Sequence, residues 1–172
     1  MEALTPAVAR ARRAEFAVLD VRAEAAFRDG HLAGSGHVPR AGLNDRVSEL
    51  PPRGEPLLVV ADDAEEAATA AAQLERMGFE RVAWLDTPLR VLPDGLADRG
   101  APAPLWRPAP FLADVLKHLP RPRPGSNLAL DVAAGAGRDA VYLALHGYEV
   151  EARDRDADAL ARAAALAARH GT

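Results

Sequence analysis

The ten residues Ala129-Leu130-Asp131-Val132-Ala133-Ala134-Gly135-Ala136-Gly137-Arg138 constrain this chain more than any others. They read as an apolar strand running into a glycine turn, with a helix and a second strand ending at Asp154 expected to follow. That order of elements suits a nucleotide-like ligand, because glycines let the backbone approach it and the helix start offers amide donors. Only residues 155–172 follow Asp154. The expectation is therefore a domain that the chain opens without completing.

The 172 residues allow one α/β domain, or one small domain with part of another. Cysteine is absent, which excludes disulfides, thiolate metal sites and cysteine nucleophiles. His31, His37, His118, His146 and His170 are scattered without ligand spacing, so they read as surface or structural histidines and no metal site is expected. A net charge of −4 argues against a nucleic-acid partner. The acidic excess lies in residues 1–86, whereas 87–126 are net basic and rich in proline, the composition of a solvated linker. The opening Met1-Glu2-Ala3-Leu4 lacks the basic and apolar regions of a signal peptide, and no window is apolar enough to span a bilayer. No membrane partner and a cytoplasmic location are expected.

Phe16–Val21, Leu57–Ala61 and Val82–Leu85 read as short buried strands, with a short helix over Glu24–Arg28. Asp62 and Asp63 can cap a helix that runs through Ala67, Ala70, Ala71, Leu74 and Met77 to Gly78. From Leu57 to Leu85 the pattern is βαβ, so its strands should pair in parallel. Pro88, Pro93, Pro102, Pro104, Pro108, Pro110, Pro120, Pro122 and Pro124 interrupt the next stretch. An amphipathic helix over Phe111–Leu119, with Trp106 as an anchor, is expected inside it as a docking element. Strand Leu128–Val132, helix Asp139–Leu145, strand Tyr148–Arg153 and helix Ala157–His170 complete the reading, with Asp156 as a cap. The expected domains are 1–86, a linker over 87–126, and 127–172.

Gly135-Ala136-Gly137-Arg138-Asp139-Ala140 fits GxGxxA, which leaves a dinucleotide site open. Asp154 at the strand end suits the two hydroxyls of a ribose, and it also suits capping of the turn into the last helix.

The first half resembles the rhodanese-like family. The resemblance rests on Leu19-Asp20-Val21-Arg22, Ala26-Phe27 before Gly30-His31-Leu32, Pro39, the strand Pro56-Leu57-Leu58-Val59-Val60, and Met77-Gly78-Phe79. It implies a parallel sheet with flanking helices, in which active relatives end the central strand in a cysteine cradled by a basic loop. Counting back from Gly78 puts that cysteine at Ala61, and the loop after it reads Asp62-Asp63-Ala64-Glu65-Glu66. Alanine cannot carry sulfur, and four carboxylates would repel a persulfide or phosphate. Asp20 and Arg22 read as organisers of the loop.

The second half resembles class I S-adenosylmethionine-dependent methyltransferases, tellurite-resistance-type members above all. Leu130 to Ala144 looks like their first motif, and His146-Gly147-Tyr148-Glu149-Val150 with Asp154-Arg155-Asp156 like their second. The resemblance implies a partial Rossmann-like βαβα unit in which Asp131 organises the loop and the cofactor's amino-acid end. Gly135 and Gly137 would line its methionine and ribose, Asp154 would hold the ribose, and Arg155 would lie along the adenine. Ala133 stands where relatives most often have the loop's first glycine.

Together these readings give an α/β chain: a fragment of an S-adenosylmethionine-dependent methyltransferase carrying an inactive rhodanese-like module. No residue of this chain is assigned a catalytic role, and the chain alone is expected to be inactive. Its parent would act on a small-molecule methyl acceptor. A non-catalytic rhodanese-like scaffold that binds a partner, and a nucleotide-dependent oxidoreductase fragment, are the alternatives. Stopping after the second helix would leave strand Leu128–Val132 with an unpaired apolar edge, so self-association through that edge is expected as well.

Overall fold

Leu57–Val60 forms the central strand of a five-stranded parallel sheet, and all four of its side chains are buried. The computed structural model describes residues 1–92, 96–119 and 121–172, and Pro93 and Pro120 of the interrupting prolines lie outside them. The residues cluster into two units, Met1–Leu105 and Trp106–Thr172.

In the first unit the strands are β1 (Glu2–Leu4), β2 (Ala17–Asp20), β3 (Gly36–His37), β4 (Leu57–Val60) and β5 (Val82–Leu85), in the order β1-β5-β4-β2-β3. Helices α1 (Pro6–Ala11), α2 (Glu24–Asp29) and α3 (Ala64–Arg76) connect them. The expected βαβ unit is present: β4 pairs in parallel with β5, Leu57 opposite Val82.

Side chains alternate across β4, so its two faces build two cores. Leu57, Val59 and Ala61 pack with Ala67, Ala70, Ala71 and Leu74 of α3, which recur at the spacing of one helix face. Leu58 and Val60 pack on the other face with Leu4, Ala9, Val18, Leu85 and Leu89. Residues that follow β5 also belong to this unit: Leu89 is fully buried, and the His31 and Asp98 backbones form an antiparallel bridge. A Cβ on Gly36 would lie 2.2 Å from Leu105, so only glycine admits that side chain.

In the second unit α4 spans Pro110–Val115 and has no buried residue. It stops short of the expected Leu119, and Phe111 on the face expected to dock is 80% exposed. Trp106 is buried with Val141 and Leu166, and its indole N–H donates to the Arg138 carbonyl at 3.4 Å. Strands β6 (Leu128–Val132) and β7 (Glu149–Arg153) pair in parallel, with α5 (Arg138–Leu145) between them and α6 (Ala157–His170) after. Asp156 caps α6 by accepting from the amides of Asp158 and Ala159. No helix among the described residues is long and apolar enough to cross a membrane.

Candidate functional site

β6 delivers Asp131 to the start of the glycine turn, where the register sets it opposite Ala152 of β7. The chain then takes three left-handed residues in five: Ala133 at φ 63°, Gly135 at 54° and Gly137 at 79°. Among the described residues Ala133 is the only non-glycine with positive φ. Side-chain crowding disfavours that conformation in any residue with a Cβ.

The two glycines serve different ends. A Cβ on Gly137 would sit 2.5 Å from the Ala163 Cβ, so its role is close packing of the turn on α6. A Cβ on Gly135 would meet nothing within 4 Å, so that stretch of backbone borders open space. Gly137 also occupies the N-cap position of α5 and provides no side-chain cap.

Asp154 lies just beyond β7 and ties the two loops together. Its Oδ2 accepts from the Gly135 amide at 2.8 Å and its Oδ1 from the Asp156 amide at 2.9 Å. These amides, Asp156 first, hold its carboxyl below the ordinary carboxylate range. Each oxygen keeps a lone pair for a further donor. The turn into α6 therefore uses the carboxylate as one of the two sequence readings expected. Arg155 beside it is exposed.

Asp131 is in the opposite situation. Its Oδ2 is buried without a hydrogen-bond partner. Burial, then the nearby carboxylates of Asp139 and Asp154, push its pKa up, while the Ala140 amide opposes them. Asp131, Gly135 and Asp154 thus converge on one loop, with a carboxylate oxygen in need of a donor.

The corresponding loop of the first unit is closed. Ala61 follows β4 and is buried, and its carbonyl accepts from the Leu89 amide at 3.0 Å. Asp63 caps α3, its Oδ1 accepting from the Glu66 amide at 2.7 Å. A carboxylate of the chain therefore occupies the helix start that an external anion would need. Asp62 lies 3.8 Å from Arg22, Glu66 lies 4.0 Å from Arg40, and Glu65 is exposed. Burial, then Asp63 and Asp62, raise the Glu66 pKa.

Beneath that loop the Arg22 guanidinium grips both oxygens of buried Asp20 and donates to the Gly30 carbonyl at 2.8 Å. Phe27 stacks on His31 and His37 with centroids 3.8 and 4.3 Å away. Phe27, His31 and His37 are named separately from the sequence, without being joined in this aromatic layer. Among the described residues no three histidine or acidic side chains are placed to hold a metal ion.

Comparison with known proteins divides the chain in the same two parts. The rhodanese-like domain family matches residues 5–88, and the family described as tellurite resistance protein TehB matches residues 110–170. The chain contains an N-terminal rhodanese-like domain and a C-terminal TehB domain. The uncharacterized protein UNK4.09 of Schizosaccharomyces pombe is 29% identical over 147 residues. That match takes in 76% of this chain, which spans 42% of the relative's length. The rhodanese-like domain of the Alr3790 protein from Anabaena sp. is 27% identical, with TM-score 0.50, over 54% of this chain and 73% of that one. A rhodanese-like domain protein from Staphylococcus aureus shares the fold at 16% identity and TM-score 0.50, over 55% of this chain and 93% of its own.

Proposed function

We propose that the TehB domain is the opening, cofactor-gripping part of an S-adenosylmethionine-dependent methyltransferase, and that the rhodanese-like domain before it carries no sulfur. The observation that carries this reading is the bond from the Gly135 amide to Asp154, made across a turn whose Gly135 borders open space. The residues present fit the cofactor: a buried, partnerless carboxylate oxygen on Asp131 suits a cationic group, and S-adenosylmethionine bears an ammonium and a sulfonium.

When bound, the cofactor supplies an electrophilic methyl group on sulfur. Asp131 would receive the amino-acid end, and the main chain at Gly135 would lie against the methionine and ribose, with Ala133 and Gly137 setting the left-handed path of the turn beside it. Asp154 would accept from the ribose hydroxyls with its remaining lone pairs, and Arg155 would lie along the adenine. Held ionised by two amides, Asp154 is ready to accept without prior loss of a proton. Alignment of acceptor and methyl then carries the rate enhancement, with no acid or base drawn from this chain. The methyl acceptor is a small molecule bound by the whole protein, which is cytoplasmic in this reading, and the chain alone does not turn over.

Calorimetric titration with S-adenosylmethionine, on this chain and on the longer protein, tests the reading. Saturable binding is expected, and Asp154→Ala should weaken it roughly tenfold or more, the worth of a charged hydrogen bond. Tighter binding of NAD, or saturation by neither molecule, sinks the methyltransferase reading.

A further inference from the structure

On the sheet face opposite Ala61, the six residues of α1 leave β4 and β5 incompletely covered. A cavity of about 190 Å³ remains there, with an apolar wall of Ala9, Leu32, Leu58, Val60, Leu85 and Leu92. Arg10 and Arg13 stand on its polar side.

Arg13 is the informative group. It is half-buried, and its guanidinium donates to the carbonyls of Phe16 and Ala33, both at 3.2 Å. Its neighbour Arg12 takes both nearby carboxylates, Glu2 and Glu15. Arg13 forms no ion pair among the described residues, so a partly desolvated cation faces an apolar hollow without a counter-charge. A guanidinium has five N–H donors in a fork matched to a carboxylate, and carbonyls take only two of them here. Burial accordingly lowers the Arg13 pKa.

We propose that this cavity binds small monocarboxylates with an apolar tail, the carboxylate on Arg13 and the tail against Leu58, Val60 and Leu85. Volume sets the class. An engineered apolar cavity of ~150 Å³ holds benzene, so this one suits a ring or a short acyl chain and is too small for a nucleotide. The site lies on the other face of the sheet from the closed loop at Ala61, and it is independent of the methyltransferase reading.

Titration of the full chain with benzoate and hexanoate, followed by calorimetry and by amide chemical shifts, tests the proposal. At least one acid should saturate, with shifts centred on Ala9, Leu32, Leu58, Val60 and Leu85. Benzyl alcohol, which keeps the ring and loses the charge, and acetate, which keeps the charge and loses the tail, should each bind at least about tenfold more weakly. Arg13→Met should weaken benzoate about tenfold and leave benzyl alcohol unchanged. If that variant does not fold, the comparison of the three probes on the native chain decides alone. Saturation by neither acid, equal affinity for benzyl alcohol, or shifts clustered elsewhere would overturn the proposal.

Discussion

Ala133 shows what one methyl group does in a turn. Its φ of 63° costs an L-residue roughly 1–2 kcal/mol, whereas glycine there gives back about 0.5–1 kcal/mol through its freer unfolded chain. The relief exceeds the loss, so Ala133→Gly should stabilise the TehB domain by a net amount on the order of 0.5–1 kcal/mol, read as a raised midpoint in thermal unfolding. Asp131 gives a pH dependence. Its raised pKa means that the folded state holds the proton more tightly than the unfolded state does. Stability should therefore fall as pH rises from the ordinary carboxylate value through the raised one, and stay lower above it. Asp131→Asn should remove that slope in denaturant titrations across pH and stabilise the domain at neutral pH. At this scale the sequence disclosed the residue types of the loop. It disclosed neither the left-handed angle at Ala133 nor the orphaned oxygen of Asp131, because both depend on how the turn meets α5 and α6.

Elements were legible where local pattern and tertiary burial agree. Leu57–Val60 is apolar at every position and emerges as a strand buried on both faces, and α6 runs over the expected Ala157–His170. β1 and β3 were not read, since β1 is three residues with only Leu4 buried and β3 is a Gly-His pair. Pairing with β5 and β2 makes them strands, and such long-range partners leave no local periodicity. The end of α4 at Val115 has the same origin: Phe111 on its apolar face is exposed and no residue of the helix is fully buried, so packing does little to prolong it. The start of α3 carries a prediction of its own. Replacing Ala61 with cysteine adds a thiol where the resemblance to active rhodanese-like relatives expects one, and leaves Asp63 on the Glu66 amide. Ala61→Cys should therefore show no thiosulfate sulfurtransferase activity, and its thiol should alkylate more slowly at neutral pH than a free cysteine, because burial and the carboxylates disfavour the thiolate.

For the whole molecule, the two units differ in how well their sheets are covered. β4 is flanked by strands and by packed residues on both faces, whereas among the described residues β6 pairs only with β7 and shows Leu128, Leu130 and Val132 at 79%, 58% and 71% exposure. An open edge beside an apolar face favours strand addition. Sedimentation should reveal association that grows with protein concentration, and Leu130→Lys should reduce it; a monomer at all concentrations would speak against the edge as a contact. The acidic cap of α3 bears on the molecule's dealings with its surroundings. Because that carboxylate is tethered to the Glu66 amide it holds, its effective concentration is set by chain geometry and not by the medium. Dissolved oxyanions must compete at that helix start with a resident that never diffuses away, which blunts the loop's response to their concentration.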